Sequence, residues 1–183
     1  AHAQLNKEPI NFVDKAMYVL GDIIVFSAIR DHLGLARVKR AYVAGAALHP
    51  EAFYFYHSIG VNLKQTYGGT EVAGIAFVQR DKDVRAGSSG KALPNTIAKM
   101  GEDGAVYIKN SAVATNYIGG ESTHGGDGWI SLGDCGHLED DGHLSVLDRL
   151  EDIIIAENGQ VIYPRLIENK LKSNPYILEA VCF

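Results

Sequence analysis

Apolar positions fall into three textures along the chain, and each predicts a different kind of element. From Phe12 to His32 they recur at mixed helical spacing, which predicts a helix with a break at Gly21. Arg37 to Val43 reads as a strand. Pro50 then opens a run dense in aromatics, Phe53, Tyr54, Phe55 and Tyr56. This run predicts a short helix ending at Gly60, because proline's fixed φ suits a first helical turn. The branched and apolar residues of Val61 to Gln65 suit a second strand. A strand, helix, strand succession is the signature of a parallel α/β layer.

From Ile75 to Leu147 the apolar runs shorten and are separated by Gly, Asn and Asp, as in Val106-Tyr107-Ile108 and Leu144-Ser145-Val146-Leu147. That pattern predicts a small β-rich subdomain. Asp140-Asp141-Gly142 marks a hairpin turn between Gly136–Glu139 and His143–Leu147. After Asp148 the pattern returns to strand, loop and helix, with Ile153-Ile154-Ile155 as the strand and Arg165 to Lys172 as the helix. There is no internal repeat and no low-complexity tract.

Composition narrows the class. The 183 residues suffice for one domain core, or one core with a small appendage. Hydrophobic residues at 46% and charged residues at 21% describe a globular chain rather than a disordered one. A formal net charge of −5 offers no basic footprint, which argues against nucleic acid as a partner. No apolar run is long enough to span a bilayer and the amino terminus lacks a signal-peptide pattern, so the expected compartment is the cytoplasm. Cys135 and Cys182 are far apart and lack metal-like spacing, which predicts two reduced thiols.

The chemistry concentrates at Tyr67-Gly68-Gly69-Thr70-Glu71, directly after a predicted strand. Ligands of open α/β sheets bind at the carboxyl ends of strands. Tyr67 offers a face for a purine, Gly68 and Gly69 a close backbone approach, Thr70 a donor to phosphate, and Glu71 a hard oxygen ligand for Mg²⁺. On the residues alone, a strand, a Gly-Gly turn and an ordinary solvated Glu is the favoured reading of the segment, because short motifs match by chance. Gly87-Ser88-Ser89-Gly90-Lys91-Ala92 suggests a phosphate loop but fails as one, because the glycine spacing is wrong and Ala92 replaces the required Ser or Thr. It reads as a turn before a strand. His137 and His143 flank the hairpin turn without a metal-like pattern, and are expected to be solvated or core residues.

Order along the chain adds to this. Tyr67-Gly68-Gly69-Thr70-Glu71, Trp129-Ile130-Ser131-Leu132-Gly133-Asp134 and Asp148-Arg149-Leu150-Glu151-Asp152 resemble, in sequence, the Tyr-Gly-x-Thr-Glu, Trp-x-x-Thr-Gly-Asp and Asp-Arg-x-Lys-Asp/Glu segments of the adenylate-forming acyl-CoA ligases. Asn158 to Pro164 with Ile167-Glu168 resembles that family's Gly-Glu-x-Val-x-Pro-x-x-Ile-Glu, and Ala44-Gly45-Ala46-Ala47-Leu48 resembles its Gly-Gly-Ala-Pro-Leu turn. Arg30 to Leu35 and Ser173 to Ile177 are most similar to bacterial long-chain fatty acyl-CoA synthetases. Leu132 and Glu151 depart from the family's usual residues.

The resemblance implies an α/β fold: residues 1–148 as the later part of the large AMP-binding domain, and residues 149–183 as the start of a small mobile α+β domain. It implies ATP, Mg²⁺ and CoA as co-substrates and cofactor, with a fatty acid as the acid substrate and peripheral membrane contact left open for the full enzyme. Thr70 and Glu71 would be catalytic, with Glu71 on the metal. Gly45, Ala46 and Ala47 would line the adenine, Tyr67 would cover it, Gly68 would belong to the same nucleotide site, Asp134 would accept from the ribose hydroxyls, and Arg149 would donate to the ribose or to a phosphate. Gly159 would enter the site during thioester formation. The family's Ser/Thr/Gly phosphate loop and carboxy-terminal Lys have no counterpart in these residues, so a fragment inactive by itself is expected. An enzyme passing the acyl group to a carrier protein, or a silent nucleotide-binding module, stays open.

Overall fold

The structure, a computed structural model, describes residues 9–46, 48–120, 122–124 and 126–183. The first helix, α1 (Phe12–Gly21), is capped by Asn11, whose Oδ1 accepts the Asp14 N–H at 2.7 Å. Gly21 does not break it. Instead the helix widens into a π-helical turn over Asp22–Phe26 and continues as α2 (Ser27–His32). Gly21 permits this because a Cβ there would sit 3.3 Å from the Phe26 ring. Arg30 anchors the far end, pairing with Asp22 at 2.6 Å and donating to the Ile59 carbonyl. The outer face leaves Phe12, Val13, Met17, Ile23 and Ile24 exposed.

Strand β1 (Ala41–Val43) is shorter than expected, because Arg37 to Arg40 stay exposed and only Ala41 onward finds a ladder partner. Helix α3 (Pro50–Ser58) starts at its proline, with His49 Nδ1 accepting the Glu51 N–H. Its return strand, β2 (Leu63–Tyr67), begins two residues later than predicted, since the Val61 N–H is used to close α3 onto Tyr56. β1 and β2 are parallel, pairing Ala41 with Leu63 and Val43 with Gln65. Beyond this pair the sheet turns antiparallel through β3 (Phe77–Val78) and β4 (Lys91–Ala92), in the order β1-β2-β3-β4. The expected parallel layer is thus one pair within a mixed sheet. The short link from β2 to β3 allows only a reversal of direction.

The β-rich part is a four-stranded antiparallel meander: β5 (Ile97–Met100), β6 (Ala105–Lys109), β7 (Ile130–Leu138) and β8 (Leu144–Arg149). The Asp140-Asp141-Gly142 turn joins β7 and β8 as predicted. A short pair, β9 (Ile154–Ile155) and β10 (Val161–Ile162), leads into helix α4 (Pro164–Lys172), which packs on β8.

Two apolar clusters hold these layers. Ile59, Val61 and Leu63 pack against Phe26, Ile29 and Val43 under the helices. Tyr67, Val72, Phe77, Val106, Ile108, Ile130 and Leu144 join the two sheets. Tyr67 closes β2 and belongs to the second cluster, so the mixed sheet hands the chain to the meander at the motif itself. The 87–92 turn is structural: Ser89 N–H donates to Leu144 O, Leu144 N–H donates to Gly90 O, and a Cβ on Gly90 would lie 2.2 Å from Val78 backbone. His143 is fully buried with Nδ1 2.8 Å from Ser88 Oγ, whereas His137 is exposed. Both cysteines are free.

Candidate functional site

At the carboxyl end of β2, where the two sheets meet, the structure forms a cavity of about 620 Å³. Gly45, Ala46, Tyr67, Gly68, Thr70, Glu71, Asp134 and Arg149 all line it, so most of the residues singled out in the sequence share one wall. Ala47 lies outside the described residues. Gly159 is not among the lining residues; it sits at φ +82° in the β9–β10 turn, its N–H bonded to Ala156 O.

Asp134 is a strand residue rather than a turn residue, paired with Arg149 across the β7–β8 ladder. It is 9% exposed. Its Oδ2 accepts the Tyr67 hydroxyl at 2.9 Å and its Oδ1 lies 3.2 Å from Arg149 Nη1. Arg149 Nη1 also donates to the Leu132 carbonyl at 2.9 Å, so a main-chain oxygen orients the guanidinium at the position where the hydroxyl of the usual Thr is missing. Gly133 makes the bend possible with φ +78°, a conformation other residues adopt only with strain. Burial, reinforced by the Asp134 carboxylate, pushes the Tyr67 phenol above its ordinary range. Tyr67 is only 9% exposed and its ring packs 6.2 Å from Phe77, so most of the stacking face expected of it is spent on the core.

Gly68 is required for a reason the sequence did not show. A Cβ there would fall 2.4 Å from Gly74 O and 2.8 Å from Ile75 Cα, so the space is filled by the protein's own backbone. The chain then makes a 3₁₀ turn over Thr70–Val72 that sets Thr70 and Glu71 on the cavity wall. Glu71 Oε1 accepts the Tyr117 hydroxyl at 3.1 Å.

Gln65, Thr66, Ser89, Leu132, Val146 and Arg165 also line the cavity and were not anticipated. For Gln65 a signal existed. Every residue of Leu63-Lys64-Gln65-Thr66-Tyr67 is buried although three are polar, and polar side chains buried on both faces of a strand need partners. Lys64 has one in Asp81, and Thr66 Oγ1 approaches Val43 O at 3.4 Å. Among the described residues Gln65 Oε1 has none: it is a buried acceptor without a donor, on a residue that lines the cavity. Arg165 carried no sequence signal, because it belongs to α4 and reaches the cavity only through the docking of that helix on β8.

Comparison with known proteins fits this geometry. Residues 7–123 match the family of AMP-binding enzymes, and the chain belongs to that family. It is 28% identical over 170 residues to the long-chain-fatty-acid–CoA ligase FadD15 of Mycobacterium bovis. The match covers 91% of this chain but 28% of the relative, so the chain spans less than a third of that enzyme's length. Among solved structures it resembles o-succinylbenzoate CoA synthetase of Bacillus subtilis in complex with its acyl-adenylate intermediate, at 26% identity and a TM-score of 0.71, covering 85% of this chain and 35% of that one. The same enzyme in complex with ATP and magnesium ion matches at 26% identity and a TM-score of 0.69, over 84% and 36% of the two chains. Among the described residues no helix is long and apolar enough to cross a membrane.

Proposed function

We propose that this chain supplies the AMP-holding wall of an ATP-dependent acid–thiol ligase that activates long-chain fatty acids. A carboxylate resists attack by a thiol because its charge repels the nucleophile and oxide leaves poorly. The reaction therefore runs in two displacements. A carboxylate oxygen attacks the α-phosphorus of ATP and the bond to pyrophosphate breaks, giving an acyl-adenylate. The CoA sulfur then attacks the acyl carbon and the bond to AMP breaks, giving the thioester.

Asp134 would accept the ribose hydroxyls, with Tyr67 and Arg149 fixing its two oxygens. Gly45 and Ala46 would line the base, with Gln65 on the same wall. Thr70 would donate to a phosphate oxygen. One carboxylate beside a hydroxyl fits Mg²⁺, which keeps several waters and takes other oxygens from nucleotide phosphates. Among the described residues no group of three or more His, Cys, Asp or Glu side chains forms a competing metal cage. Glu71 would hold the ion, which supplies neutralisation of phosphate charge. The small domain would start after Asp148, and Gly159 would reach the site only in a second arrangement of that domain.

The observation that carries this reading is the gathering of Tyr67, Thr70, Glu71, Asp134 and Arg149 on one cavity with an orphaned buried acceptor among them. Calorimetric titration of the chain with AMP tests it. Binding is expected, weakened at least tenfold by Asp134→Asn through loss of charge-assisted bonds to the ribose, on the order of 1.5–3 kcal/mol. A wild-type chain that binds neither AMP nor adenosine refutes the reading.

A further inference from the structure

Among the described residues four charged side chains line the cavity, Glu71, Asp134, Arg149 and Arg165, and the charged ends of the first three already have partners. Asp134 holds Tyr67 and Arg149, Arg149 also holds the Leu132 carbonyl, and Glu71 accepts from Tyr117. Arg165 differs. Its backbone N–H donates to Asp148 Oδ2 at 2.8 Å, and its Nε lies 3.5 Å from Asp148 Oδ1. Asp148 is itself buried, with its Oδ1 also accepting the Arg149 N–H at 2.8 Å. One buried carboxylate thus orients the inner edge of the guanidinium and the start of α4 together. Among the described residues the two terminal nitrogens of Arg165 have no hydrogen-bond partner, and its side chain is one-third exposed.

A planar cation held from behind, with its outer fork unspent in a cavity, is arranged to receive an anion with two adjacent oxygens. We infer that Arg165 is the phosphate-binding arginine of this cavity in the docked arrangement of α4, receiving the phosphate of a bound 5′-nucleotide through Nη1 and Nη2. The inference rests on the nucleotide reading above and adds to it a residue from beyond the proposed domain boundary. It follows that nucleotide phosphate and the docking of α4 stabilise each other. Both use the same guanidinium, and binding free energies are reciprocal.

The test titrates the full 183-residue chain with AMP and, separately, with adenosine and octanoate. Wild type is expected to prefer AMP over adenosine. Arg165→Gln keeps the backbone N–H bond to Asp148, so α4 stays docked. It should lower AMP affinity by roughly tenfold or more and leave adenosine affinity unchanged, the loss expected for a charge-assisted bond. Arg165→Lys should recover part of the AMP preference as a point charge without the fork, and Arg37→Gln, on an exposed surface, should change nothing. Equal loss of AMP and adenosine in Arg165→Gln would assign the side chain to structure alone and overturn the inference. Unchanged AMP binding, or loss of octanoate with AMP retained, would also overturn it, the latter moving the arginine to the acid's carboxylate. A wild-type chain that ignores both AMP and adenosine removes the nucleotide reading and this inference together.

Discussion

Removing the Tyr67 hydroxyl probes the joint on which the site is built. The phenol donates to Asp134 Oδ2 at 2.9 Å inside the cluster that ties the two sheets together. A hydrogen bond to an ionised acceptor contributes about 1.5–3 kcal/mol. Tyr67→Phe does not strand the carboxylate, however, because Arg149 remains 3.2 Å from Oδ1. The expected destabilisation is therefore toward the lower part of that range, about 1.5–2 kcal/mol. In a chain of this size each kcal/mol lowers Tm by about 2–4 °C. Urea denaturation should show the midpoint falling with the slope unchanged. In a double-mutant cycle with Asp134→Asn, coupling of about 0.5–3 kcal/mol is expected for residues in direct contact. Strict additivity would refute the claim that the two side chains act as a unit.

The same pair fixes a pH dependence. Burial and the neighbouring carboxylate raise the folded-state pKa of Tyr67 above its unfolded value of about 10. The unfolded chain then releases the phenolic proton first, so the native state binds more protons and stability falls as pH rises. The contribution is fully present below about pH 10 and is lost above it, at up to about 1.4 kcal/mol per pH unit. Wild type should lose stability from pH 10 to 11 faster than Tyr67→Phe. Equal slopes would mean that the hydroxyl titrates as an ordinary exposed phenol.

Two glycines separate packing from function. Gly68→Ala drives a Cβ into the Gly74 and Ile75 backbone and should cost more than about 3 kcal/mol or abolish soluble expression. Gly159→Ala meets nothing within 4 Å and bears only the left-handed backbone penalty, roughly 1–2 kcal/mol, in a turn that does not line the cavity. Thermal melts of both variants check this contrast, and similar losses would contradict it. Asp148→Asn weakens the acceptor shared by the Arg149 and Arg165 N–H groups. It should accelerate amide hydrogen exchange in Arg165–Lys172 while leaving β2 protected, whereas uniform acceleration would show that α4 docking is not a local event.

The legible part of this fold is the part governed by local chemistry. Pro50 started α3, Asp140-Asp141-Gly142 turned β7 into β8, and two of the three residues of the apolar run Ile153-Ile154-Ile155 became β9. Each depends on residues within a few positions. Where partners decide, the sequence reading drifted. Gly21 reads as a break, yet the chain resolves its surplus residue as a π-helical turn held by the Arg30–Asp22 pair eight positions apart. Arg37–Arg40 carry strand character but find no ladder. Gly68 reads as room for a ligand, whereas the approaching Gly74–Ala76 backbone occupies it.

The site divides along the same line. Tyr67, Thr70, Glu71, Asp134 and Arg149 were singled out through the resemblance of short motifs, and all five line one cavity where the end of β2 in one sheet faces the β7–β8 ladder of the other. Gln65 was half readable: a polar residue in a wholly buried strand announces an unmet need, though not its direction. Arg165 was unreadable because its place depends on a single carboxylate, Asp148, seventeen residues away. That carboxylate makes the cavity a property of two segments rather than one. Its inner wall is carried by β2 and β7, and one of its cations by a helix that docks from outside. Any ligand that spans the wall and the cation must therefore favour the docked state over the undocked one, by the free energy of the Arg165 contact and no more.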